Sequence, residues 1–518
     1  VRWLSVITIL PLTAGVAAAA FSRIRPATGF WVTRVFLMVL TGIILWQCFA
    51  YQPKFDDPKS LWILEAPLPI SGQWAMIYAP AADGINLLPA LSAVVLTTMA
   101  FFASTAGPLS SMLLLLGALS CSLGALFAKD LLLFIIFMES ALSLNLFSIA
   151  LKGRKLFGAV RRAFIMQAVT GAPMLLAVLA IHWKAGGAGF LPADLIEATL
   201  EFSPGIQLLL ASAFCVTLGS RVPLVPMHGW FMDISDESDP ASATTLFALV
   251  SLVAIYGFIR FAMPMFPAVS PVFWTLLGAM AALGLTHMGL VAFSHRSPAQ
   301  ILTRTRAAVA GLAIVGVVSA TRPAVAGAVF ILSTQGLAFA SVCMMLVALD
   351  KRGNPPPQII AAKMPRLATM AFIAILGIIG LPGTTGFVGN ILTLGGSFRS
   401  HPVMAATAAL GMATISVSLL TLLWRAFGQK ATAPTMEAPR LRFGESAPMV
   451  AILIIIVALG VFPGAVLSRI SPSVDRLCEQ LRHRRAMARV MEEPVRAVED
   501  PADPGAHKKP PMLQDKAP

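Results

Sequence analysis

Residues 211–261, ASAFCVTLGSRVPLVPMHGWFMDISDESDPASATTLFALVSLVAIYGFIRF, decide the reading of the whole chain. Two apolar runs flank Arg221, Pro223, Pro226, His228 and the acidic residues Asp233, Asp236, Glu237 and Asp239. In a soluble protein this middle would be an ordinary loop. The composition excludes that: of 518 residues 57% are hydrophobic and only 12% charged, and the mean hydropathy is +0.81. Such a chain is a polytopic membrane protein. A charge at the bilayer centre costs at least about 2.5 kcal/mol, and freed backbone groups persist there only where protein or a water-filled cavity satisfies them. A charged, proline-broken segment between membrane helices is therefore expected to line an ion or proton route.

Working outward, apolar runs of about 20 residues, the length that crosses roughly 30 Å of hydrocarbon, recur along the chain. Fourteen are expected, centred near residues 12, 40, 95, 117, 141, 172, 213, 250, 282, 310, 337, 374, 414 and 457. The first reads as a membrane helix rather than a cleavable signal, lacking a basic start of any length and a convincing cleavage site. Net charge is +14, which in a soluble chain would suggest nucleic acid, but here the distribution matters more. Odd-numbered loops carry Arg23 and Arg25, the group Lys152, Arg154, Lys155, Arg161 and Arg162, then Arg296, then Lys351, Arg352, Lys363 and Arg366, then Arg425, Lys430, Arg440 and Arg442. By the positive-inside rule both termini lie outside the cytoplasm, in what reads as a bacterial plasma (inner) membrane.

The expected organisation is residues 1–82 for two helices and an outer loop, 83–430 for the core, 431–467 for a final helix and 468–518 for a polar tail. Trp62 and Trp74 suit a membrane interface, and the outer loop is expected to fold over the outer face. In the tail Val474, Leu477, Cys478 and Leu481 recur at helical spacing, which predicts one short basic amphipathic helix before disorder, or a wholly disordered tail. The five scattered cysteines read as small buried hydrophobes.

A second interruption, GIIGLPGTTGFVGN with Pro382, Gly383, Gly386 and Gly389, breaks the twelfth apolar segment as Pro223 and Pro226 break the seventh. Broken helices in corresponding positions point to internal repeats whose breaks line a transport route. A spacing of five segments makes them two inverted five-helix repeats, segments 4 to 8 and 9 to 13.

Glu139 stands nine residues into the segment that Asp130 opens, which at about 1.5 Å per residue is roughly 13 Å deep. A carboxylate there must be paired or protonated, and Arg221 is the natural partner, whether the pair serves ion transfer or structure alone. Arginine keeps its proton, so it can hold Glu139 charged but cannot relay a proton itself. His228, after the double proline, is placed either to titrate or to cap and hydrogen-bond. The cluster Asp233, Asp236, Glu237 and Asp239 reads as a solvated acidic loop at the cytoplasmic mouth. In the second repeat His287, Arg304, Arg306, Gln335 and Asn390 are polar, and no acidic residue or lysine stands within segments 9 to 12. No nucleotide loop, metal-ligand cluster, iron–sulfur cysteine set, quinone site or haem site is legible, so redox chemistry by this chain alone is not expected.

Together Asp83-Gly84, KDLLLFIIFMES (129–140), RRAFIMQAVTGAPMLLAVLAI (161–181), RVPLVPMHGWFMD (221–233), AIYGFIRF (254–261) and GLPGTTGFVGNILTLGGSF (380–398) resemble a known family. It is that of the antiporter-like membrane subunits of proton-translocating NADH-quinone oxidoreductases and Mrp-type cation/proton antiporters, most closely the chain M (chain 4) type. The resemblance covers roughly residues 80 to 430. It implies a subunit in a larger membrane arm, where partner subunits handle NADH or another donor and quinone, and this chain binds no cofactor and no metal. The family pairs a glutamate on the fifth segment with a lysine on the seventh, and adds a lysine on the eighth and a glutamate or lysine on the twelfth. Glu139 matches the first. Arg221, Leu252 and Asn390 stand at the others, and Val309 and Gln335 stand where the family has histidines. The resemblance therefore implies the pathway positions Glu139, Arg221, His228 and Asn390, the helix breaks Pro223, Pro226, Pro382 and Gly383, and a proton relay weakened or lost. A cation/proton antiporter or inorganic-carbon uptake subunit, and a structural membrane subunit that does not pump, remain the alternatives.

Overall fold

The computed structural model describes residues 3–22, 26–54, 63–64, 68–71, 76–103, 109–187, 189–353, 360, 364–427, 441 and 443–499. These are nearly all helical. In chain order the helices are α1 (Trp3–Ser22), α2 (Pro26–Ala50), α3 (Leu87–Ala103), α4 (Leu109–Phe127), α5 (Leu131–Ala150), α6 (Phe157–Lys184), α7 (Pro192–Leu200), α8 (Pro204–Arg221), α9 (Gly229–Glu237), α10 (Pro240–Gly257), the single turn α11 (Met263–Met265), α12 (Pro271–Ser294), α13 (Pro298–Val318), α14 (Arg322–Asp350), α15 (Pro365–Ile379), α16 (Thr385–Ser400), α17 (Pro402–Phe427), α18 (Phe443–Val461) and α19 (Gly464–Glu499). A five-residue π-helical stretch, Phe258–Ala262, carries α10 on into α11.

Each of the fourteen expected centres falls inside a helix. Not every one of these helices is by itself a long unbroken apolar span. Among the described residues ten helices are long and apolar enough to cross a bilayer alone, or eleven spans if α18 and the start of α19, bent by 64°, are counted as one. Of the expected segments, α3 and α15 are short, with 17 and 15 residues, and α8 ends in Arg221 where the chain breaks. Breaks and short helices leave these segments without the unbroken apolar length that the count assumed.

Contacts at the helix ends sort by loop parity. Lys152 pairs with Asp239, Arg304 with Asp236 and Arg352 with Glu445, and Lys351 donates to Ala103 O, all between odd-numbered loops. At the other end Asp83 pairs with Arg260, Lys184 with Glu201 and Arg322 with Glu479. This is the arrangement expected when successive apolar segments run antiparallel.

The centre is α10, α13 and α14. α13 is buried along its whole apolar length and α10 and α14 along nearly all of theirs, while α1, α2, α6, α12 and α17 keep one face open. In a membrane the open faces meet lipid or a neighbouring subunit. Four short strands form two hairpin-like pairs between α2 and α3, Ile63–Leu64 with Ala81–Ala82 and Leu68–Ser71 with Met76–Tyr78. Trp62 and Trp74 lie outside the described residues.

The tail departs from expectation. Instead of one short helix, α19 runs 36 residues. Val474, Leu477, Cys478 and Leu481 are buried, as their spacing required. Arg469 donates to Cys48 O, Ser473 Oγ bonds the Tyr51 hydroxyl and accepts from Gly84 N at 3.2 Å, and Arg322 reaches Glu479, so the helix is tied to α2, the α3 entrance and α14. Those partners come from distant loops and could not be read locally. The expected disorder beyond it falls outside the described residues. All five cysteines are free, four of them buried.

Candidate functional site

Asp130 caps α5, accepting from Leu133 N at 3.0 Å, and the helix carries Glu139 inward. Beside it, α6 presents Gln167, Thr170 and Gly171 on one face, the i, i+3, i+4 spacing that shares a face. From the third side α8 ends at Arg221, because Pro223 has neither the N–H nor the room to continue a helix. The freed carbonyls are answered: Trp230 Nε1 donates to Ser220 O at 3.0 Å and Ser251 Oγ to Arg221 O at 2.9 Å. That satisfaction is what lets a broken helix persist at membrane depth.

Arg221 Nη2 donates to both oxygens of Glu139, at 2.7 and 2.8 Å, and to Gln167 O at 3.1 Å. Its Nη1 donates to Ser220 Oγ at 2.6 Å and to Thr170 Oγ1. Gln167 Nε2 donates to Glu139 Oε2 at 2.9 Å and to Ser143 Oγ at 2.9 Å. A Cβ at Gly171 would stand 3.0 Å from Arg221 Nη2 and 3.2 Å from Glu139 Oε1, so the missing side chain leaves the space the pair occupies. The Glu139–Arg221 pairing expected from sequence is thus present. Gln167 and Thr170 are legible only in the α6 spacing, and Ser220 on α8 carries no sequence signal beyond its place beside Arg221.

His228 occupies the N-cap position of α9 without its side chain capping. Its ring stands edge-on to that of His287 on α12, with centroids 5.9 Å apart. The acidic cluster is largely exposed, as expected, but it is helical and ion-paired rather than a loop. Asp233, Asp236 and Glu237 are in α9; Asp236 takes Arg304 through both oxygens at 2.6 Å, while Arg162 reaches Asp233 at 2.7 Å and Glu237 at 3.5 Å. Asp239 caps α10 through Ser242 N and pairs with Lys152 at 3.1 Å. The basic residues come from the turn after α5, from α6 and from α13, so sequence distance hid the pairing.

At the second break Gly380 adopts φ +90°, and a Cβ there would lie 2.7 Å from Asn390 Nδ2. Pro382 and Gly383 sit in the same turn between α15 and α16. Asn390 Oδ1 accepts from Gln335 Nε2 at 3.0 Å, and both residues are buried. Gln335 in turn lines a cavity of about 40 Å³ together with Leu252, Val309 and Arg306. Positions on three helices, α10, α13 and α14, that were read as relay positions therefore meet at one place. The Glu139 pair and the Asn390–Gln335 pair are two separate clusters.

A helical membrane bundle with two broken helices and a carboxylate–cation pair beside the first break fits the class of antiporter-like membrane subunits. The chain belongs to the family described as NADH:quinone oxidoreductase/Mrp antiporter, TM, which it matches over residues 128–416. Its relatives include the NADH-quinone oxidoreductase subunit M of Escherichia coli, 25% identical over 481 residues (89% of this chain, 94% of the relative), and that of Pseudomonas aeruginosa, 29% identical over 369 residues (68% and 72%). In fold it is similar to a chain of respiratory complex I from Thermus thermophilus (TM-score 0.82, 23% identity, covering 92% of this chain and 99% of that one). It is also similar to a chain of the Mrp complex from Dietzia sp. DQ12-45-1b (TM-score 0.77, 18% identity, 94% and 100%). Both neighbours are chains of multisubunit membrane complexes.

Proposed function

We propose that the chain is a membrane-arm subunit of an NADH-quinone oxidoreductase-like complex that keeps the antiporter-like fold and its assembly surfaces but has a weakened or lost proton relay. The observation that carries this is the convergence of Leu252, Val309 and Gln335 on one cavity. Leucine and valine hold no proton, and an amide does not titrate in water, so the centre of the bundle has no ordinary proton carrier. Glu139 retains its carboxylate, yet its partner is a guanidinium, a group that anchors charge rather than relaying protons. His228 and Asn390 complete the polar positions of the proposed route. NADH or another donor and quinone belong to partner subunits, and the chain binds neither a cofactor nor a metal. We place it in a bacterial plasma membrane with both termini outside the cytoplasm, on the charge asymmetry of the loops.

A second reading, a cation/proton antiporter subunit, is favoured by the likeness to the Mrp chain. One experiment separates them: purification of the tagged chain from native membranes in mild detergent, mass spectrometry of what accompanies it, and donor-driven proton uptake after reconstitution. Redox subunits are expected, with Glu139→Gln assembling and pumping nearly as the unmodified complex does. Recovery alone or with antiporter subunits overturns the placement. A loss on the order of 100-fold in an assembled Glu139→Gln complex, the effect of removing a proton-transferring group, overturns the weakened relay.

A further inference from the structure

Arg306 is 4% exposed on α13, and its Nε and Nη2 have no hydrogen-bond acceptor. Its guanidinium centre lies 4.4 Å from the Phe247 ring centroid and 5.4 Å from that of Phe339. It faces the central cavity of about 40 Å³, whose lining includes no carboxylate. The carboxylates of residues 233–239 are already engaged by Lys152, Arg162 and Arg304. Ring faces attract a cation but accept no hydrogen bond in its plane, and buried charges are ordinarily paired. Arginine does not escape by losing its proton.

We propose that this cavity is a binding site for one small monovalent anion of halide size, held by Arg306. The size of the cavity sets the ligand: at about 10–15 Å³ per water position it accommodates roughly three waters, or one monatomic anion with a water or two. The lining sets the chemistry. Leu252, Val309, Ala310 and Ala313 offer no donors to a polyatomic oxyanion, so a weakly hydrated ion with a spherical charge fits better. Gln335 Oε1, buried and without a partner, is positioned to accept from an accompanying water. A single guanidinium balances a single negative charge, and the low dielectric around it strengthens their attraction.

The test is the thermal unfolding midpoint of the purified full-length chain at constant ionic strength, with sodium gluconate replaced stepwise by chloride or bromide. Gluconate is too large for the cavity. The expected result is a saturable upward shift with halide, absent in Arg306→Met and retained in Arg322→Met, whose arginine is half-exposed and paired with Glu479. A midpoint indifferent to halide, or an equal response in Arg306→Met, overturns the proposal. If Arg306→Met does not fold, crystals of the unmodified chain grown in bromide decide the matter: anomalous density beside the Arg306 guanidinium supports the site, and its absence there overturns it.

Discussion

One nitrogen of Arg221, Nη2, bridges both carboxylate oxygens of Glu139, at 2.7 and 2.8 Å. The two side chains are unequally buried, Arg221 at 2% exposure and Glu139 at 24%. Losing either partner therefore has different consequences. A stranded Glu139 keeps its partial exposure, whereas a stranded Arg221 has none to speak of.

Glu139→Gln should accordingly destabilise the chain by about 3 kcal/mol, because it leaves the buried Arg221 charge without its carboxylate. Thr170 Oγ1, Ser220 Oγ and Gln167 O would remain to the guanidinium, all of them neutral. Arg221→Met should cost less, and the double variant less than the sum of the two. A double-mutant cycle of unfolding free energies on the purified chain checks this, and strict additivity would mean that the contact contributes no coupling.

Gly171→Ala tests the same cluster from α6. The new Cβ would press at 3.0 Å on a nitrogen already fixed by Glu139 and Gln167 O, so overpacking of about 1–3 kcal/mol is expected. Gly158→Ala, near the start of the same helix, meets only Arg162 Nη1 at 3.7 Å. It should be neutral, or stabilising by up to about 1 kcal/mol through helix propensity. Thermal or denaturant unfolding of the two variants side by side distinguishes a crowded pair from a general intolerance of alanine in α6.

Asp239 supplies a pH dependence outside the membrane spans. Burial pushes its carboxyl up, but Lys152 at 3.1 Å and the Ser242 hydroxyl and N–H outweigh that and hold it below the usual carboxylate range. A depressed folded-state value contributes stability that is present above the unfolded value of about 3.9 and is lost as pH falls through the lower folded value. Asp239→Ala should thus lose about 1 kcal/mol at neutral pH, mostly as a helix cap. The difference from the unmodified chain should shrink below about pH 4. A gap that stays constant down to acid pH would mean that the charge contributes nothing.

What was legible in the sequence follows from the range of each interaction. Apolar runs and prolines act locally, so the helix centres and both breaks could be placed, and Glu139 with Arg221 followed because few buried charges needed partners. The failures were long-range. Arg304 lies 68 residues from Asp236, and only the packed α9 and α13 put them together. α19 was underestimated because its partners, Tyr51 and Arg322, come from the far end of other loops. Nothing in the spacing of α13 announced that Arg306 would face a cavity between two phenylalanines. The fourteen expected segments are not all single unbroken helices for a related reason: apolar content marks a segment, but only packed neighbours decide how much of its length stays one helix.

The Asn390–Gln335 pair holds the second break to the bundle centre, and its chemistry is separable by substitution. Asn390 Oδ1 accepts from Gln335 Nε2 at 3.0 Å, while its Nδ2 points toward Ile379 O at 3.5 Å, a weak contact. Asn390→Leu leaves a buried donor unanswered and should cost about 1–3 kcal/mol. Asn390→Asp retains the acceptor, and as a neutral acid its hydroxyl can replace the donor toward Ile379 O, so its cost should be smaller. Gln335→Leu alone leaves Asn390 Oδ1 without its 3.0 Å donor. Combined with Asn390→Leu it removes both ends at once, and replacing both partners by apolar groups is nearly neutral where the shapes fit. The double variant should therefore be more stable than Asn390→Leu alone, as read by the unfolding midpoint. A double variant no better than the single would mean that the pair is held by its surroundings and not by its hydrogen bond.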